Sequence, residues 1–156
     1  MYDYECPKLI DLNRTNDIRG SMTVMYEGSG HSAIVLKTTT SNFGTLRGFH
    51  WQRVPKLQSK LITVTKGEIF DVCIEVDNGQ LTSNIFVNRL SAAQQLYVPP
   101  NFAHAYLSLV DDTQVTYLCD GAYGNEVSYN PREAFSDWPI DLADLKISNK
   151  DLNNGI

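Results

Sequence analysis

In the stretch Glu68-Ile69-Phe70-Asp71-Val72-Cys73-Ile74-Glu75-Val76, the apolar residues Phe70, Val72, Ile74 and Val76 alternate with Asp71, Cys73 and Glu75. A period of two belongs to a β-strand, whose successive side chains point to opposite faces, and it predicts a strand with one face buried. Lys66-Gly67 before it and Asp77-Asn78-Gly79 after it are turn signals. Working outward, Ala33–Thr39, Lys60–Thr65, Ser83–Val87, Gln95–Val98, Ala105–Leu109 and Gln114–Cys119 are short and rich in β-branched or aromatic residues, with Gly, Pro, Asn or Asp between them. Many short antiparallel strands at this spacing predict an all-β sandwich or jelly-roll barrel. The tail segment Asp141-Leu142-Ala143-Asp144-Leu145-Lys146 predicts a short helical stretch before a polar end. A small barrel holds its ligand inside or at its mouth, so polar residues at inward positions are the candidates for function.

The chain has 156 residues and 17.5 kDa, the size of one domain over 1–156, with no room for a separate cofactor domain. A chain of this length buries roughly 70% of its unfolded surface, enough for a core with a pocket. No apolar run approaches the ~20 residues of a membrane span, and the acidic start Met1-Tyr2-Asp3-Tyr4-Glu5 is unlike a basic signal peptide. These features predict a cytoplasmic protein without a membrane partner. Cys6, Cys73 and Cys119 are odd in number and widely spaced, which argues against a disulfide framework or structural zinc. Cys73 reads as a small buried hydrophobe.

The formal net charge of −5 argues against nucleic acid. Its distribution is uneven. From Gly28 to Gly67 there is no Asp or Glu, whereas Lys37, Arg47, Arg53, Lys56, Lys60 and Lys66 supply six of the thirteen basic residues. A purely cationic stretch in an acidic chain suits either a compact anion such as a diphosphate or a solvated face.

Two segments concentrate chemistry-bearing side chains. In Gly44-Thr45-Leu46-Arg47-Gly48-Phe49-His50-Trp51-Gln52, an extended backbone turns His50 away from its aromatic neighbours. In Tyr97-Val98-Pro99-Pro100-Asn101-Phe102-Ala103-His104-Ala105, the Pro pair and Asn101 form a turn, with Asn101 suited to positive φ, and His104 opens the next strand. By themselves these histidines fit hydrogen-bonded core residues as well as catalysts, and Lys60, at a strand start, fits a solvated lysine.

Five separated motifs together resemble the dTDP-4-dehydrorhamnose 3,5-epimerase family. They are Leu46-Arg47-Gly48-Phe49-His50-Trp51-Gln52; Lys60-Leu61-Ile62 with Lys66-Gly67-Glu68-Ile69-Phe70-Asp71-Val72; Gln95-Leu96-Tyr97-Val98-Pro99 with Phe102-Ala103-His104-Ala105; Tyr117, Tyr123 and Tyr129-Asn130-Pro131 leading to Asp137-Trp138-Pro139; and Ile147-Ser148-Asn149-Lys150-Asp151. The resemblance implies a cupin-type jelly roll, or double-stranded β-helix, that forms a homodimer. It also implies epimerisation at C3, C5 or both of a nucleotide-linked 4-keto-6-deoxyhexose, in the biosynthesis of surface polysaccharide such as lipopolysaccharide, without metal or organic cofactor.

A proton α to a ketone is too weakly acidic for water to remove at neutral pH, so this chemistry needs a base and a stabilised enolate oxygen. By the resemblance His50 is the base, Asp151 orients and supports its imidazole, Lys60 is the cation at the C4 oxygen, and Tyr117 returns a proton from the opposite face. Arg19 and Arg47 contact the phosphates, His104 is a supporting polar group in the pocket, Tyr123 lies near the nucleotide, and Gln52 joins the substrate-binding set.

The chain departs from the family pattern where Ser21-Met22 replaces an aromatic pair and where Val35-Leu36-Lys37 replaces a Gln-x-Asn. Three alternatives stay open at this point: a metal-dependent cupin, a non-catalytic sugar-nucleotide-binding barrel, and an epimerase acting at one carbon or on another nucleotide sugar.

Overall fold

The computed structural model describes residues 4–18, 20–26 and 35–154. Twelve strands appear among them: β1 (Lys8–Asp11), β2 (Arg14–Asp17), β3 (Gly20–Thr23), β4 (Val35–Ser41), β5 (Leu46–Gln52), β6 (Lys60–Lys66), β7 (Glu68–Asp77), β8 (Gln80–Ser91), β9 (Gln94–Val98), β10 (Phe102–Ser108), β11 (Thr113–Cys119) and β12 (Glu126–Ser128). Helices α1 (Pro131–Ala134) and α2 (Asn149–Leu152) and a 3₁₀ turn at Leu142–Asp144 follow. None of the described helices is long and apolar enough to cross a membrane.

Two five-stranded antiparallel sheets make the expected jelly roll. The first runs β1-β9-β6-β11-β4, the second β12-β5-β10-β7-β8, and β2 pairs only with β3. Between the sheets Ile62, Val64, Leu96, Val98, Val115 and Tyr117 of the first meet Ile69, Cys73, Leu90, Phe102 and Tyr106 of the second. A separate cluster covers the other face of the second sheet. There Leu46, Phe49, Trp51, Val72, Ile74 and Leu107 pack beneath Trp138 and Leu145 from the C-terminal segment. The Trp138 ring sits 5.1 Å from Phe135, 6.0 Å from Phe70 and 6.2 Å from Phe49, in the tilted and edge-on geometries that aromatic quadrupoles favour.

That second cluster corrects the expectation for β7. Both of its faces are buried, because the tail covers Phe70, Val72, Ile74 and Val76 while Ile69, Asp71 and Cys73 face the interior between the sheets. Cys73 is fully buried, as expected. The strand expected at Ser83–Val87 is the longer β8, which pairs with β7 at the sheet edge. Its polar Gln80, Thr82, Asn84, Asn88 and Arg89 conceal that length because an edge strand tolerates solvent on one side. Strand β10 starts at Phe102, ahead of the expected Ala105, and places His104 inside the strand. Asn101 is not at positive φ. The Phe102 N–H donates to the Pro99 carbonyl at 3.2 Å, so Pro100 and Asn101 occupy the central positions of a turn that, with negative φ at both, favours proline first. In the tail the helical turn is shorter than expected, and the polar residues after it form α2.

Candidate active site

Strand β5 sets the geometry. Its pairing with β10 matches His50 to His104 and Arg47 to Tyr106, so Gly48 and Phe49 on β5 oppose the single Ala105 on β10. The extra residue is a β-bulge at Gly48. Without it Arg47 and His50 would lie on opposite faces. With it Leu46, Phe49 and Trp51 enter the rear core while Arg47, His50 and Gln52 line a cavity of about 350 Å³ between the sheets. A side chain at Gly48 does not fit, because a Cβ there falls 2.5 Å from the His104 carbonyl oxygen and 2.6 Å from the Ala105 Cβ, at φ +121°.

The C-terminal segment is laced to the start of β5. The Leu46 N–H donates to the Lys146 carbonyl at 2.9 Å and the Lys146 N–H to the Gly44 carbonyl at 2.8 Å. Ser148 then caps α2, its hydroxyl accepting from the Asp151 N–H at 3.2 Å. This delivers Asp151, distant in sequence, to 2.6 Å from His50 Nε2. Ser128 of β12 donates its hydroxyl to the same Asp151 oxygen at 2.7 Å. Burial works to raise the Asp151 carboxyl, but the hydrogen bond and charge of His50, with Ser128 and Ser148, outweigh it and hold the carboxyl down at about 2. An ionised Asp151 accepts from Nε2–H, which makes Nδ1 the basic nitrogen of a neutral His50.

Tyr117 comes from the facing sheet, on β11, and is 7% exposed at the cavity wall. Burial, first, and then Tyr106 and Asp71 push its phenol well above the usual range, while Arg47 pulls the other way. Lys60 opens β6 beside it, and the expectation of an ordinary solvated lysine at such a position does not hold: Lys60 is also 7% exposed. Its Nζ donates to the His50 carbonyl at 3.0 Å, and burial lowers its affinity for a proton, Cys119 opposing and Lys37 adding to the effect.

His104 lines the cavity and donates or accepts at 2.6 Å with the fully buried Asp71. Burial pushes the imidazole down, only partly offset by Asp71. Among the described residues, Asp71, Cys73 and His104 form a group whose donor atoms lie within 4.8 Å of one another. Those atoms already satisfy each other, since Cys73 Sγ donates to Asp71 Oδ1 at 3.4 Å and Asp71 Oδ2 meets His104. The group is therefore a hydrogen-bonded support for His104.

The structure places the remaining predicted residues unequally. Arg47 lines the cavity, with Nε on Ser41 Oγ at 3.1 Å and Nη2 on the Thr40 carbonyl at 3.4 Å. Gln52 is buried; its Oε1 accepts from the Gly124 N–H at 2.7 Å and its Nε2 has no partner among the described residues. Tyr123 stands apart, 63% exposed on the loop after β11 and outside the cavity wall. Arg19 lies outside the described residues. Of the six basic residues in the acid-free stretch, Lys37, Arg47 and Lys60 reach the cavity and Arg53, Lys56 and Lys66 do not.

The sequence singled out Lys37 only as one of six cations in the acid-free stretch and as part of a departure from the family pattern, and gave no sign of Glu126, Lys146 and Lys150 as lining residues or of Ser128 as a second partner of Asp151. Lys150 sat inside a quoted motif; Glu126 and Ser128 belong to a three-residue strand too short to show a period. Lys150 and Glu126 form an ion pair at the rim. Burial, the largest single influence, raises the Glu126 carboxyl, and the Lys150 hydrogen bond together with the charges of His50, Lys150 and Lys60 more than reverses that.

Comparison with known proteins identifies the family and fold of the chain. The family model described as dTDP-4-dehydrorhamnose 3,5-epimerase matches residues 6–155. A relative of that name from Methanothermobacter thermautotrophicus is 37% identical over 118 residues, 70% of this chain and 63% of the relative. This chain thus spans a little under two thirds of the first curated relatives it matches. A crystal structure of the dTDP-4-dehydrorhamnose 3,5-epimerase of Bacillus anthracis, with TDP and PPi bound, superposes with a TM-score of 0.82 at 33% identity, covering 94% of this chain and 91% of that one. A dTDP-6-deoxy-D-glucose-3,5-epimerase from Legionella pneumophila, in complex with dTDP-4-keto-L-rhamnose, gives 0.85 at 26% identity, covering 97% and 88%. The jelly roll is accordingly of the cupin type, and the chain belongs to the dTDP-4-dehydrorhamnose 3,5-epimerase family.

Proposed function

We propose that this chain is an isomerase that inverts C3, C5 or both of a nucleotide-linked 4-keto-6-deoxyhexose, with a dTDP sugar as the reference substrate. The observation that carries the reading is the pairing, around one cavity, of a His50–Asp151 couple on one side with Tyr117 and Lys60 on the facing sheet.

In this mechanism His50 Nδ1 removes the proton next to the C4 ketone, and Asp151 stabilises the imidazolium that forms. The electron pair moves into the ring and leaves negative charge on the C4 oxygen, which Lys60 meets with an N–H not used on the His50 carbonyl. Tyr117 then gives its phenolic proton to the same carbon from the opposite face, the C4 carbonyl re-forms, and solvent restores both groups. His104, oriented by Asp71 through Nε2, accepts a hydrogen bond from a sugar hydroxyl at Nδ1. The orphan Nε2 of Gln52 is a donor to the sugar, since a buried N–H without a partner is costly until a ligand oxygen fills it. Arg47 serves the diphosphate, with Arg19 assigned the same role by family resemblance and Tyr123 assigned to the nucleotide from the exposed loop.

The residues need neither metal nor organic cofactor for these steps. A single domain over 1–156, a homodimer, a cytoplasmic location and a place in surface polysaccharide biosynthesis, lipopolysaccharide included, complete the proposal on family grounds. The test is incubation with a panel of nucleotide-linked 4-keto sugars in D₂O, with NMR reading which carbons gain deuterium and which invert. Deuterium at C3 or C5 together with inverted product supports the reading. A panel in which no sugar exchanges a proton refutes it.

A further inference from the structure

Lys37 occupies a position where this chain departs from its family's pattern, and its surroundings give it a task. It is the direct cross-strand partner of Tyr117, β4 against β11. Its Nζ stands 5.2 Å from the centroid of the Tyr117 ring, within the range of a cation–π contact. Both side chains line the cavity, together with Lys60. No carboxylate among the described residues forms an ion pair with Lys37.

The groups around the phenol are otherwise poorly suited to its ionisation. Tyr106 and His104 approach from β10 with ring centroids at 6.5 and 6.3 Å, and Asp71 contributes negative charge from β7. Arg47 on β5 is favourable, but its guanidinium is engaged by Ser41 and Thr40. Burial raises the phenol further. A buried phenol surrounded in this way is a weak proton donor unless a cation meets the phenolate it leaves behind.

We propose that Lys37 is a positioning residue for Tyr117, its ammonium over the ring stabilising the phenolate formed when Tyr117 hands its proton to the reacting carbon. The inference rests on the reading of Tyr117 as the acid. In the step the Tyr117 O–H bond breaks, the enolate electron pair forms the new C–H bond, the C4 carbonyl returns, and the phenolate keeps the negative charge beside Lys37 until solvent supplies a proton. Lys37 is exposed, so solvent screens its charge, and at this range it changes the phenol equilibrium by about 3- to 30-fold.

The experiment compares the unaltered chain with Lys37→Met, Lys37→Arg and Tyr117→Phe, using dTDP-4-keto-6-deoxyglucose in D₂O. A second readout is the pH titration of chain labelled with ¹³Cζ-tyrosine, the Tyr117 signal being the one absent from Tyr117→Phe. Lys37→Met is expected to slow inversion about 3- to 30-fold while leaving proton exchange near normal, and to move the Tyr117 titration upward by about half a pH unit or more. Lys37→Arg is expected to restore both. Unchanged inversion and titration in Lys37→Met, with inversion lost in Tyr117→Phe, overturns the role of Lys37 and leaves Tyr117 as the acid. A raised KM with kcat and titration unmoved also overturns it, making Lys37 a substrate contact. Normal inversion by Tyr117→Phe is the separate failure of the acid assignment itself.

Discussion

Replacing Asp151 by Asn tests the coupling between the tail and the base. The carboxylate contacts His50 Nε2 at 2.6 Å and is held ionised down to about 2. When His50 takes a proton, the new imidazolium sits beside a full negative charge. At an effective dielectric of 20 and a charge separation of about 4 Å that attraction is worth about 4 kcal/mol, and solvent reaching the ring, 26% exposed, trims it to roughly 2–3 kcal/mol. An amide keeps the shape and the Ser128 bond but supplies no charge, so kcat is expected to fall about 30- to 150-fold. Because the base acts before the pathway divides between exchange and inversion, both should fall together, with KM within about twofold of normal. Deuterium incorporation and product inversion, measured by NMR in the same reaction, provide the check, with circular dichroism to confirm folding. An Asp151→Asn chain that keeps a third or more of normal exchange refutes the claim that Asp151 supports the base.

Lys60→Met should lower kcat by about 10²- to 10³-fold with little change in KM, since the ammonium is asked to stabilise an oxygen charged only along the reaction path; steady-state kinetics on the best sugar of the panel measure it. Trp138→Ala removes the aromatic lid on the rear core and is expected to cost about 3–5 kcal/mol, read from chemical denaturation. For acid stability the sign follows from Asp151. Its folded value of about 2 lies below the ordinary 3.8, so its contribution is present above pH ~4 and is lost as pH falls towards 2. That contribution is about 1–2 kcal/mol after screening, and Asp151→Asn should flatten the stability curve in this window.

The all-β class was legible because β6, β7, β9 and β11 carry β-branched and aromatic runs bounded by turns. The buried second face of β7 was not, because what covers it, Trp138 with Phe135 and Leu145, lies far along the chain in a segment with no period of its own. Likewise the motif order singled out His50, Lys60, Tyr117 and Asp151, but nothing local to Gly48 announced that a bulge there turns Arg47 and His50 to the same side. Lys37 was visible twice, as a cation in an acid-free stretch and as a departure from a family pattern. Only the β4–β11 register shows that it meets a phenol. The exposed position of Tyr123 had no sequence signal, since a loop tyrosine reads the same whether it faces a cavity or solvent.

The central claim is that proton removal and proton return belong to groups on opposite sheets. Position-resolved deuterium incorporation by His50→Ala and Tyr117→Phe chains in D₂O addresses it directly. The first should exchange no proton at any carbon, and the second should exchange without net inversion at one or more carbons. Normal exchange by His50→Ala, or a normal inverted product from Tyr117→Phe, contradicts it.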